Sequence, residues 1–254
     1  MMVFFFNIVS VFTALFSFNS EAEHIKADQL GYLYSIHETT FSKTDTKGNI
    51  IFKNSSLDYG EATSIDLTNP FQPFIFYKDQ GKLAVLDNTL SLQGDVVDFF
   101  EKGYGNIECV GGSRGDAFWL WDVNKTELIK VDKQFNRLIS TGNLSLLLEK
   151  KINPSQIIER GNFLYIADPS LGVLVFDIYG NYRNTITIEF DGKIAVDDQY
   201  LTFIKGNSFY LSDIKGLSPH EFSLPITAIE DWDFVYPNLY LLSQHQILSY
   251  KMNP

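Results

Sequence analysis

One internal copy constrains this fold more than any other feature of the chain. Leu33-Tyr34-Ser35-Ile36-His37-Glu38-Thr39-Thr40-Phe41-Ser42-Lys43-Thr44-Asp45-Thr46-Lys47-Gly48-Asn49 reads as two strands and a tight turn. The pattern returns from Leu164-Tyr165-Ile166-Ala167-Asp168 through Phe176-Asp177-Ile178-Tyr179-Gly180-Asn181. Leu-Tyr leads both copies, and Gly-Asn starts three residues after the aspartate that ends the second strand. Glycine and asparagine tolerate φ > 0, which tight hairpins require. Gly-Asn recurs at 105–106, 142–143, 161–162 and 206–207. Between such turns, short apolar runs continue to the C-terminus and group in fours with a period of about 40 residues. A four-stranded sheet repeated at that period is a propeller blade. The spacing therefore predicts an all-β fold, a β-propeller of about six four-stranded blades.

One segment departs from this pattern. Leu144, Leu147, Leu148 and Ile152 have helical spacing, Asn143 stands where an N-cap belongs, and Pro154 ends the run. It predicts one short inserted helix at an end of the propeller. The last group shows only three clear strands, so a segment near Glu23–Ala27 is expected to complete the final blade and tie down both chain ends.

Hydrophobic residues make up 45% of the 254 residues and aromatics 15%, enough to bury a large core. The net charge of −11 repels phosphate backbones, and the basic residues form no patch, so nucleic acid is not an expected partner. Cys109 is the only cysteine, which excludes an internal disulfide and a cysteine-based zinc site. Its apolar neighbours predict a small buried hydrophobe rather than a reactive thiol.

The run from Val3 to Phe18 is almost wholly apolar, is short for a membrane helix, and precedes Ser20-Glu21-Ala22. It reads as a signal peptide over 1–22, cut near Ala22, leaving a single propeller domain over 23–254 with no transmembrane segment. The n-region has no Lys or Arg, so an uncleaved anchor and a misassigned start remain open alternatives.

At the level of Leu-Tyr-x-Ile and Asp-x-x-Gly-Asn, the chain resembles the NHL-like and TolB-like six-bladed propellers. Ser64-Ile65-Asp66-Leu67-Thr68-Asn69-Pro70, Phe76-Tyr77-Lys78-Asp79, Leu86-Asp87-Asn88-Thr89-Leu90-Ser91 and Val173-Leu174-Val175-Phe176-Asp177-Ile178-Tyr179-Gly180 are similar to stretches in a group of secreted bacterial propeller proteins. The resemblance implies a fold and no activity, since propellers host enzymes, binders and scaffolds alike.

Catalytic signatures are missing from the sequence. The four histidines show no metal-helix spacing, and there is no Gly-x-Ser-x-Gly elbow. Gly111-Gly112-Ser113-Arg114-Gly115 precedes a strand and lacks a phosphate-binding lysine, so it reads as a hairpin loop. Phe118-Trp119-Leu120-Trp121 reads as core, because both faces of a blade pack on neighbours. Asp66, Glu108, Glu159, Asp197 and Glu230 place one acid on each of five expected inner strands, a spacing that suits either a solvated channel wall or a channel metal. No cofactor is expected.

What remains is surface. Pro70-Phe71-Gln72-Pro73 offers Phe71 as an exposed contact residue, and Asp231 and Trp232 are the second expected contact. The first reading is a non-catalytic interaction or scaffold module of the bacterial envelope, in the periplasm or at the outer membrane, bound to an envelope protein. The alternative is a propeller hydrolase or lactonase with a metal held by the five acids.

Overall fold

The computed structural model describes residues 11–55, 59–214 and 218–253. The first ten residues of the expected leader lie outside them. The described chain forms six four-stranded antiparallel sheets, each a blade of one propeller. The predicted fold class is therefore correct.

Blade 1 runs from inner to outer strand as His24–Ala27, Leu33–His37, Thr40–Thr44 and Ile50–Asn54. Blades 2 to 5 follow in the same way, with inner strands Ser64–Asp66, Ile107–Ser113, Gln156–Arg160 and Ile194–Val196. Blade 6 has Asp231–Val235 innermost, then Asn238–Ser243 and Gln246–Met252, and its outermost strand is Phe12–Asn19.

Burial explains the strand order. The middle strands Phe74–Tyr77, Ala117–Asp122 and Gly172–Asp177 are buried at every position, as sheets covered on both faces must be. Trp119 and Trp121 are fully buried, so the aromatic run is core, as its sequence implied. The outermost strands Ile50–Asn54 and Arg137–Ser140 are mostly exposed.

Closure differs from expectation. His24–Ala27 opens blade 1, and the strand that completes blade 6 comes from the apolar segment before it. Phe12 lies opposite Met252 and Asn19 opposite Gln246. Phe12 is buried against Phe209, Phe222 and Tyr250 in edge-on contacts, and Phe18 packs over Gly48 of blade 1. A strand and a leader core share one sequence signature, a short apolar run with β-branched and aromatic residues.

The predicted helix is present and shorter, Leu144–Leu148. Asn143 caps it by accepting from Leu146 N at 2.9 Å, and Glu149 ends it in a left-handed conformation. Leu144 is buried, whereas Leu146 and Leu147 face solvent.

The repeat is more regular than its sequence. Asp45, Asp87, Asp132 and Asp177 each begin the turn between the third and outer strands of blades 1 to 4. Each carboxylate accepts backbone N–H groups two and four residues ahead. The fourth position of each turn has φ > 0 and is Gly48, Leu90, Phe135 or Gly180.

Candidate functional site

The six inner strands enclose a central channel. At the end where they begin, a cavity of about 650 Å3 opens between His24, Thr63, Gln156, Lys193, Asn207, Glu230 and Trp232. Below it lies a space of about 130 Å3 lined from all six inner strands. Lys26, Ser64, Ile65 and Gln156 line both and mark the level at which the channel narrows. Arg160 crosses the lower end. Its Nε donates to Asp198 Oδ1 at 2.8 Å, and both terminal nitrogens lie 2.5 Å from the Gln29 amide oxygen when that amide is turned toward them. Gln29 and Arg160 belong to blades 1 and 4, which stand opposite each other in a ring of six, so the pair spans the lower end of the channel.

Inner strands leave one edge of backbone N–H groups unpaired by their own sheet, and a buried N–H needs an acceptor. Neighbouring blades supply side-chain oxygens. Asp231 Oδ2 accepts from Ile25 N and Asp233 Oδ2 from Ala27 N, both at 2.8 Å, joining blade 6 to blade 1. Asp66 Oδ2 accepts from Gly112 N at 3.0 Å, and Glu159 Oε1 from Arg114 N at 3.1 Å, so blades 2 and 4 both hold blade 3. Gln156 Oε1 accepts from Ile194 N at 3.1 Å, joining blade 4 to blade 5.

This use of carboxylates decides the fate of the five expected acids. Asp66 and Glu159 are committed to blade 3. Glu159 also accepts from Trp119 Nε1 at 2.7 Å and Ser113 Oγ at 2.5 Å, and pairs with Lys130 at 3.3 Å. Glu108 lines neither space and pairs with Lys78 at 3.8 Å. Asp197 accepts from Gln199 N and Tyr200 N, just beyond its strand, with its second oxygen buried and unpartnered. Glu230 sits at the upper mouth and accepts from Gln244 N. Among the described residues, no three His, Cys, Asp or Glu side chains gather as a metal ligand set.

Electrostatics follow the same geometry. Burial pulls the Lys26 pKa down, but Asp233 at 3.0 Å, with Asp66 and Asp231 nearby, outweighs it and raises the pKa above the ordinary lysine value. Burial raises the Glu159 pKa, and the donors from Ser113, Trp119 and Arg114 with the Lys130 charge outweigh that and lower it. Burial pushes the Cys109 thiol up to about 12, in keeping with an inert core residue.

The expected contact residues part company. Phe71 is 64% exposed, in the loop after the inner strand of blade 2, at the lower end. Trp232 is buried edge-on against Phe209, so it offers no exposed anchor. Asp231 pairs with Lys193 at 2.5 Å at the upper mouth. Asp231-Trp232 thus belongs to an inner strand, not a loop, and lies at the opposite end from Phe71. The alternation Asp231-Trp232-Asp233-Phe234, acid toward the channel and aromatic toward the core, carried that strand signal, but aspartate is rare in strands and masked it.

The glycine run also needs correction. Gly111 and Gly112 lie inside the inner strand of blade 3, not in a hairpin loop. A Cβ on Gly111 would meet Ile157 O at 2.5 Å, so glycine lets blades 3 and 4 approach there.

No protein-family model matches the sequence, and no curated protein matches it. Solved structures do resemble it in fold. The Pan2 WD40 domain of Neurospora crassa superposes with a TM-score of 0.65 at 8% identity, covering 96% of each chain. Virginiamycin B lyase from Staphylococcus aureus gives 0.63 at 10% identity, over 95% of this chain and 100% of that one. PorZ of Porphyromonas gingivalis, a bacterial surface component of the type-IX secretion system, gives 0.52 at 12% identity, over 96% of this chain and 39% of PorZ. At these identities the likeness is one of fold.

Proposed function

We propose that this chain is a non-catalytic protein-interaction module of the bacterial envelope. The observation that carries the reading is the commitment of the channel acids. Asp66, Glu159, Asp231 and Asp233 each spend an oxygen on an N–H group of a neighbouring blade, so the residues best placed for acid–base work are structural ties. A rigid ring with loops at both ends suits docking, because loops carry binding on rigid scaffolds. The fold likeness to PorZ, a bacterial surface component, supports an envelope setting.

The likeness to virginiamycin B lyase, together with a mouth cavity of ligand size, favours turnover of a small molecule as a second reading. The form with a metal on five inner acids has no such support, since those acids point to different partners. Affinity purification of the tagged protein from solubilised native membranes separates the readings. A stoichiometric envelope partner supports the module. Elution alone, with hydrolysis of a lactone or phosphoester in a substrate screen, replaces it with the enzyme.

A further inference from the structure

Lys193 shows what kind of group the upper cavity holds well. Its ammonium lies 2.5 Å from Asp231 Oδ1 and 5.7 Å from the centre of the Trp232 ring, a carboxylate and an indole face acting on one cation. The other charge at this level, Lys26, is matched by Asp233 at 3.0 Å. Two exposed carboxylates of the mouth, Asp191 and Glu230, form no ion pair of their own among the described residues. Asp191 Oδ2 accepts from Gly206 N at 2.7 Å and feels the Lys205 charge, which is itself ion-paired with Glu189, and Glu230 Oε1 accepts from Gln244 N at 2.9 Å. Ile25, Ile65, Ile204 and Ile229 line the same cavity. Its volume of about 650 Å3 lies within the roughly 300–1,000 Å3 range of small-ligand sites. The Arg160 contacts to Asp198 and Gln29 lie at the far end of the channel from this mouth.

We propose that the upper mouth binds an amine or guanidinium on an apolar stem, presented as a Lys- or Arg-bearing segment of a partner protein. Asp191 and Glu230 take the charge, and the part-exposed Ile65 and Ile229 take the stem. This rests on the interaction-module reading and names the chemistry of its partner. A free polyamine shares the chemistry and is the other possible source.

The test is calorimetric titration of the full chain with an acetylated and amidated Lys-Leu-Lys-Leu-Lys peptide, the same peptide with Glu in place of Lys, and spermidine. Asp191→Asn and Glu230→Gln keep the oxygens that accept from Gly206 and Gln244, so the fold is expected to persist, and thermal melts verify it. The Lys peptide should bind, the Glu peptide should not, and the double variant should weaken binding by about tenfold or more. Asp95→Asn and Asp116→Asn, acids of lower-end loops, should leave it unchanged. Spermidine binding as tightly as the peptide, with the same loss in the double variant, supports the site and assigns it to a free polyamine. Equal loss from upper and lower variants, or no binding at all, overturns the proposal. Recovery of an envelope partner would then still leave the interaction-module reading standing, with contact made elsewhere.

Discussion

Glu159 and Trp119, forty positions apart on neighbouring blades, meet at 2.7 Å through a carboxylate oxygen and an indole N–H. Both side chains are buried, and the same oxygen receives the Ser113 hydroxyl and the Lys130 ammonium. Removing the acceptor would leave an indole, a hydroxyl and a largely buried cation unpaired at once. Glu159→Ala is expected to cost about 3–5 kcal/mol, the usual cost of breaking a buried ion pair from one side. Glu159→Gln keeps one acceptor oxygen and should cost less. Urea unfolding followed by Trp fluorescence checks both, and a Glu159→Ala midpoint equal to that of the parent would remove Glu159 as the tie between blades 3 and 4.

The blade repeat was legible because two of its turns keep glycine. Two others were not, because Leu90 and Phe135 occupy the same φ > 0 position, at 67° each, and sink into the core. There the side chain gains burial that offsets the strain of a left-handed backbone, and the Gly-Asn signature disappears while the turn survives. The channel was less legible than the blades. Period and turn residues locate strands, but which inner acid faces which neighbour depends on the rotation of one blade against the next, and no local pattern records that.

The closing strand gives a second prediction. Deleting residues 1–22 would strip the outer strand from blade 6, uncover Phe209 and Tyr250, and leave Gln246–Met252 as an open edge. Phe12→Ala alone should cost about 3–5 kcal/mol, as for other buried Phe truncations, and the deletion at least as much. Calorimetric melting of both variants measures this. Peptide mapping of the protein from its native host should recover Phe12–Asn19, and a mature chain starting near Glu23 would mean that blade 6 closes with three strands.

Gly48 and Gly180 hold the same turn position with different neighbours. Both have φ near 80°, which a β-branched residue strains to adopt, so Gly180→Val should cost about 1–3 kcal/mol. At Gly48 an added Cβ would also lie 2.6 Å from the Phe18 ring. Gly48→Val should therefore be the worse of the two, and the difference should shrink in a Phe18→Ala background, where the ring contacts go and only the Cβ contact at 2.9 Å remains. Equal losses in both backgrounds would separate Phe18 from the turn.

Cys109 supplies a simple probe of the intact ring. It is 6% exposed, and burial raises its pKa to about 12, so a thiol reagent at pH 8 meets neither access nor thiolate. Labelling by iodoacetamide should be negligible in the folded protein and complete in urea. Rapid labelling of the folded protein would show that the inner strand of blade 3 opens.

The turn aspartates give the chain its acid limb. The Asn49 side chain holds the Asp45 carboxyl below its ordinary value, Asn136 does so for Asp132, and the Thr89 hydroxyl for Asp87. At Asp177 burial pushes upward, and Asn181, the Tyr179 N–H and Arg183 outweigh it. Glu159 is lowered as well. A carboxyl whose folded pKa is depressed contributes stability that is fully present above its unfolded pKa, about 4, and is lost as pH falls through the folded value. The melting temperature should thus be nearly flat from pH 7 to about 5 and fall steeply below about 4 as these acids protonate in turn. Asp132→Asn should lower stability at pH 7 and flatten the fall below pH 4, because the neutral amide accepts the turn hydrogen bonds more weakly and has no proton to gain. An acid limb of unchanged depth in that variant would place the pH dependence elsewhere in the molecule.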